Sequence, residues 1–123
     1  MPNVTIGDLE RLAAYLGSGG SPVTLVTSSG AAKTLTYPSF GNIVYDVTLT
    51  DNCAFTITGG SAGELQTITL ILRQDGTAGR AATLPLTIKW PNGVAPALNT
   101  AAGRIDVLYI STPDAGTTLL GSY

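Results

Sequence analysis

From Pro22 onward the apolar residues of this chain recur at every second position, a period that only an extended strand with one buried face can use. Ile43, Tyr45, Val47 and Leu49 share one face, opposed by Val44, Asp46 and Thr48. After the turn residues Thr50-Asp51-Asn52, Cys53, Phe55 and Ile57 continue the same alternation. Ile68, Leu70 and Leu72 point one way in Leu65–Arg73, and Thr67, Thr69 and Ile71 the other. Leu84, Leu86, Ile88 and Trp90 align after an Asp75-Gly76 turn, with Pro85 in the opposite register marking an edge or a bulge. Ile105, Val107 and Tyr109 alternate with Asp106, Leu108 and Ile110, and Pro113–Gly116 turns into a closing strand over 117–123.

Shorter strands are expected at Pro22–Thr27 and Lys33–Tyr37, around Ser28-Ser29-Gly30. Seven or eight strands with Gly-rich turns lead to an all-β fold, an antiparallel β-sandwich or open barrel. Thr50–Asn52 and Asp75-Gly76 are read as hairpin turns. A parallel β/α arrangement is set aside, because it needs repeated crossover helices and there is nowhere to place them after residue 16.

The period is helical only near the N-terminus. Thr5 stands at an N-cap position with Asp8 three residues on, and Val4 and Leu9 suit a hydrophobic staple. Ile6, Leu9, Leu12, Ala13 and Leu16 make one apolar stripe over residues 5–16, and Gly17, Gly19 and Gly20 end it. About three turns cannot stand alone in water. The stripe at Ile6, Leu9, Leu12 and Leu16 is therefore a candidate assembly interface, or a helix folded over one end of the β-domain. The chain divides into a helical segment and joint, 1–21, and one β-domain, 22–123.

The 123 residues suffice for a core without staples. Only 11% are charged, against roughly 25% in ordinary soluble domains, and Thr, Ser, Gly and Ala take their place. That composition suits sheets packed on neighbouring subunits. The six basic residues are dispersed and the net charge is −2, so no phosphate-binding track for nucleic acid is expected. No apolar run of about 18 residues offers a transmembrane helix, and the N-terminus lacks the pattern of a secretory signal.

Cys53 is the one cysteine and there is no histidine, which leaves no zinc set, no disulfide and no activated thiol. Paired aspartates are the one enzymatic arrangement to weigh, and a hydrolase would need two of Asp46, Asp75, Asp106 and Asp114 to converge. Nothing in their spacing brings any two together. Asp46 and Asp106 are placed on faces opposite the cleanest apolar rows, with Arg73, Arg80 and Arg104 as prospective partners. Neither catalytic residues nor cofactors are assigned. Tyr37 and Phe40, flanking Pro38, are read as loop aromatics for an exposed contact, and Trp90 as a core anchor.

The stretch Leu65–Arg80, then Leu84-Pro85, Ile88-Lys89-Trp90, Pro91-Asn92-Gly93-Val94-Ala95-Pro96 and Ile105-Asp106-Val107, resembles a small β-domain of tailed-bacteriophage virion proteins. The hairpin read at Tyr45–Cys53 looks similar too. The resemblance implies an oligomer, expected as a trimer, found at fibre ends, in baseplates or on heads. It makes Arg80, Trp90 and Asp106 structural positions, with Arg80 and Asp106 able to pair across strands. With so little chain around the domain, a head-decoration protein reinforcing the major capsid protein is favoured. A receptor-binding protein of the tail tip, contacting a host surface glycan, is the alternative. Either is a virion protein made in the host cytoplasm.

Overall fold

The computed structural model describes residues 20–123; the helix expected over residues 5–16, with its stripe at Ile6, Leu9, Leu12 and Leu16, lies outside them. Nine strands follow: β1 (Val23–Val26), β2 (Ala32–Tyr37), β3 (Ile43–Leu49), β4 (Cys53–Gly59), β5 (Ala62–Gln74), β6 (Ala82–Thr83), β7 (Ile88–Lys89), β8 (Ile105–Asp114) and β9 (Leu119–Ser122). They form a six-stranded sheet, in the order β1-β3-β5-β8-β9-β7, and a three-stranded sheet, β2-β4-β6.

The rows expected on β3, β4 and β5 are inward. Tyr45, Val47, Leu49, Cys53, Phe55, Ile68, Leu70 and Leu72 are all buried in one core shared by the two sheets. The pairing differs from the expectation. β3 and β4 do not form a hairpin, since each lies in a different sheet and pairs in parallel: β3 with β1 and β5, β4 with β2 and β6. Odd and even strands alternate between sheets from β1 to β6, so the chain winds as a flattened coil. The crossover that a parallel pair requires is here a strand of the opposite sheet, not a helix. Antiparallel pairing is confined to β5–β8 and β8–β9, the second joined by the expected turn. The result is a mixed two-sheet fold rather than an antiparallel one.

The strand expected over 81–90 is also interrupted. Only Ala82–Thr83 and Ile88–Lys89 pair, and with different sheets. Pro85 lies between them, its carbonyl accepting from the Ile88 amide and its ring having no N–H for a ladder.

Polar side chains tie the coil together. The Tyr37 hydroxyl, from the small sheet, donates to the Ile110 carbonyl at 2.6 Å in the large one. Tyr45 crosses the other way: its hydroxyl accepts from the Thr36 amide and donates to the Thr36 carbonyl. Gln66 and Gln74, buried on β5, each accept one backbone amide and donate to two backbone carbonyls. Gln66 holds Ser61, Pro38 and Gly41. Gln74 holds Arg80 and Asn99. Gly59 closes β4 at a φ of 86°, and an added Cβ would meet the Tyr37 carbonyl at 2.8 Å.

Burial raises the Tyr37 phenol above its ordinary value, so its stabilising contribution is complete below pH 10 and declines as alkali ionises the unfolded chain first. Tyr37→Phe should cost about 1 kcal/mol at neutral pH by removing this buried hydrogen bond between the sheets. It should also flatten the loss of stability above pH 10. Denaturant melts across pH 7–11 check both.

Candidate functional site

The two aromatics nominated for an exposed contact separate. Tyr37 is 2% exposed because the period-two row of Leu35 carries it inward, so it is a core residue and not a contact. Phe40, between β2 and β3, is 64% exposed.

Trp90 is half-buried and packs on the core from its margin rather than anchoring its centre. Its ring lies over Gly121, where an added Cβ would meet ring carbons at 2.5 Å. Tyr123 meets it edge-on, with centroids 5.9 Å apart. From here the chain runs through a short 3-10 turn, Pro91–Gly93, into an irregular loop. This loop and the segment from Ala82 enclose an open groove of about 440 Å³, within the roughly 300–1,000 Å³ of small-ligand sites. Leu84, Leu86, Ile88, Trp90, Pro96 and Leu98 contribute apolar walls. Leu86 stands fully exposed at its margin. Such a groove can pack the apolar face of a ligand against an aromatic ring.

The two sheets turn different surfaces outward. In the small sheet the outward positions are Thr34, Thr36, Thr56, Thr58 and Thr83 with Ala32 and Ala54, a polar face. In the large sheet they are Val23 and Leu25 on β1, Val44 on β3, Ile71 on β5, Ile105, Val107 and Tyr109 on β8 and Leu120 on β9, with Thr48, Thr67, Thr69, Ser111 and Ser122 between them. Asp46 and Arg73 sit among them, joined by two hydrogen bonds of 2.6 and 3.0 Å. The row Ile105-Val107-Tyr109 therefore faces out, and Asp106 lies on the core side with Leu108 and Ile110.

The family described as "Putative phage tail fibre C-terminal domain" matches residues 34–113, from β2 to the end of β8. The chain belongs to this phage tail-fibre family. No curated protein and no solved structure matches it.

In this tail-fibre domain the aspartates are engaged one by one in local structure. Asp75 accepts from the Thr77 amide and pairs with Arg80 at 3.3 Å. Asp106 accepts from the Asn99 amide and side chain, so the cross-strand Arg80–Asp106 pair does not form. Five residues from Asp75 in one turn, Arg80 has its partner at hand. Asp114 accepts from the Thr118 hydroxyl and amide and from the Thr112 hydroxyl. Of its three prospective partners, Asp46 pairs with Arg73. Among the described residues no three acids, cysteines or histidines gather around a common point, and no helix is long and apolar enough to cross a membrane.

Cys53 is a core thiol, 1% exposed, with burial raising its pKa. The groove and the apolar outer face were not expected, although the second has a signal in the sequence: Ile71 and the row Ile105-Val107-Tyr109 put apolar residues on both faces of β5 and β8.

Two outcomes follow from this packing. Trp90→Ala should destabilise by less than the roughly 2–5 kcal/mol of a core Leu70→Ala, because one side of the ring already meets solvent; equal losses in urea melts would return Trp90 to the core. The Thr118 contacts hold the Asp114 carboxyl below its ordinary 3.8. Its contribution is present above that value and is lost as pH falls through the lower folded one. Asp114→Asn should accordingly make stability less pH-dependent between pH 5 and about 2, measured by circular dichroism.

Proposed function

We propose that this chain forms the receptor-contacting end of a phage tail fibre, working as a homo-oligomer with three copies the expected number. The family match carries the reading, since it covers β2 through β8 and the groove between them almost completely. It names a tail-fibre domain, and the head-decoration role has no comparable support. Loops held on a firm sheet framework are where binding surfaces are usually built. The groove beside Trp90 supplies such a surface, with room for a saccharide unit of a host envelope glycan and an aromatic edge to pack against it. Catalysis is not part of this proposal, because each aspartate described above serves a turn or an ion pair. The protein is made in the host cytoplasm and carried in the virion tail.

The test is binding of fluorescently labelled protein to envelopes of the host strain, with phage adsorption as the competing process. Wild-type protein should bind saturably and reduce adsorption. Leu86→Asp, a change at a fully exposed position, should weaken binding at least about tenfold, roughly 1.4 kcal/mol, with the melting curve unchanged. Saturable binding that Leu86→Asp leaves intact would remove the groove from the receptor site. Absence of binding by the wild type would overturn the receptor role itself.

A further inference from the structure

We propose that the outer face of the six-stranded sheet is the surface through which copies of this chain pack on one another. The inference rests on the reading of the protein as a homo-oligomer and names the surface that makes it one.

The two sheets provide an internal comparison. Both alternate inward and outward residues, and both bury their inner faces in the same core. The small sheet presents a threonine face to the outside, as a solvated sheet ordinarily does. The large sheet presents valine, leucine, isoleucine and tyrosine there beside threonines and serines of its own, and no other described element lies over them. Val23, Leu25, Ile105, Val107, Tyr109 and Leu120 alone leave on the order of 500 Å² open, near the top of the range for the largest patch on a solitary domain. With the half-buried side chains between them, the face approaches the roughly 800 Å² per partner of a standard stable interface.

Charge favours a second copy over a different protein. Asp46 and Arg73 carry the charges within the face, and they satisfy each other through a two-point contact. Lys89 stands at the far margin, on β7. The interior of the face is therefore neutral and can be covered by its own likeness without a like-charge clash or a stranded ion. It offers no excess of one sign with which to select an oppositely charged partner. Sheet-on-sheet packing is the usual way for two such surfaces to be buried.

Sedimentation velocity on the full chain at micromolar concentrations tests this, with Leu25→Lys and Val107→Lys on the face and Thr56→Lys on the small sheet as control. The wild type and Thr56→Lys should sediment as one oligomer, and both face variants should shift to monomer with circular dichroism and melting retained. Should one face variant fail to fold, the other still reads the interface. An oligomeric wild type that both folded lysine variants leave intact would overturn the assignment of the face while preserving the oligomer. A monomeric wild type would overturn the oligomer and, with it, this interface. A monomer that binds no hydrophobic dye until Leu9→Asp is introduced would identify the N-terminal segment as the cover instead.

Discussion

Strand β5 has hydrogen-bonding partners on both edges, β3 running parallel and β8 antiparallel, and the rest of the domain depends on its holding both at once. On one side the chain winds between sheets, and on the other it folds back and forth within one. Ile68, Leu70 and Leu72 fill the core from this strand. Gln66 and Gln74 close the two ends of the same inward row by anchoring loops from four different parts of the chain. An amide side chain there satisfies backbone groups that have no strand partner, and buried backbone groups left unpaired are costly. Either glutamine replaced by an apolar residue would leave one amide and two carbonyls without these bonds.

The groove and the outer face follow from that arrangement. Because β6 and β7 are reduced to two residues each around Pro85, the segment between them stays irregular and opens into a groove. Trp90 can close one side of it because Gly121 has no side chain. Because six strands join in the large sheet, it has a broad outer face over which no other described element lies. In this tail-fibre domain the groove and the outer face are separate surfaces, on a framework whose aspartates serve turns and ion pairs.

The inward rows were legible in the sequence because alternation is a local signal. The positions of Tyr45, Val47, Phe55 and Leu70 follow from their immediate neighbours. Which strands pair was not legible, since a Thr50-Asp51-Asn52 turn looks the same whether the chain returns beside itself or passes to another sheet. The coil also leaves no internal repeat to read: Val23, Val44 and Thr69 are neighbours in register, but the steps between them are unequal. Tyr37 was misplaced because Pro38 and Phe40 give its surroundings the look of a loop, although Leu35 two residues earlier sets its direction. Asp106 was put outside because Ile105, Val107 and Tyr109 form the more apolar row. In this protein that row faces outward, and local hydrophobicity cannot tell a core from an outward apolar face.

Disulfide trapping distinguishes the winding chain from an antiparallel meander most directly. Thr36 and Thr58 are partners in the parallel β2–β4 ladder, with their hydroxyl oxygens 3.3 Å apart. A Thr36→Cys/Thr58→Cys pair should oxidise readily in the folded protein and raise its melting temperature. Thr48→Cys/Ala54→Cys, placed where a β3–β4 hairpin would bring them together, should stay reduced. Rapid oxidation of the second pair with none of the first would contradict the parallel winding on which the groove and the outer face both depend.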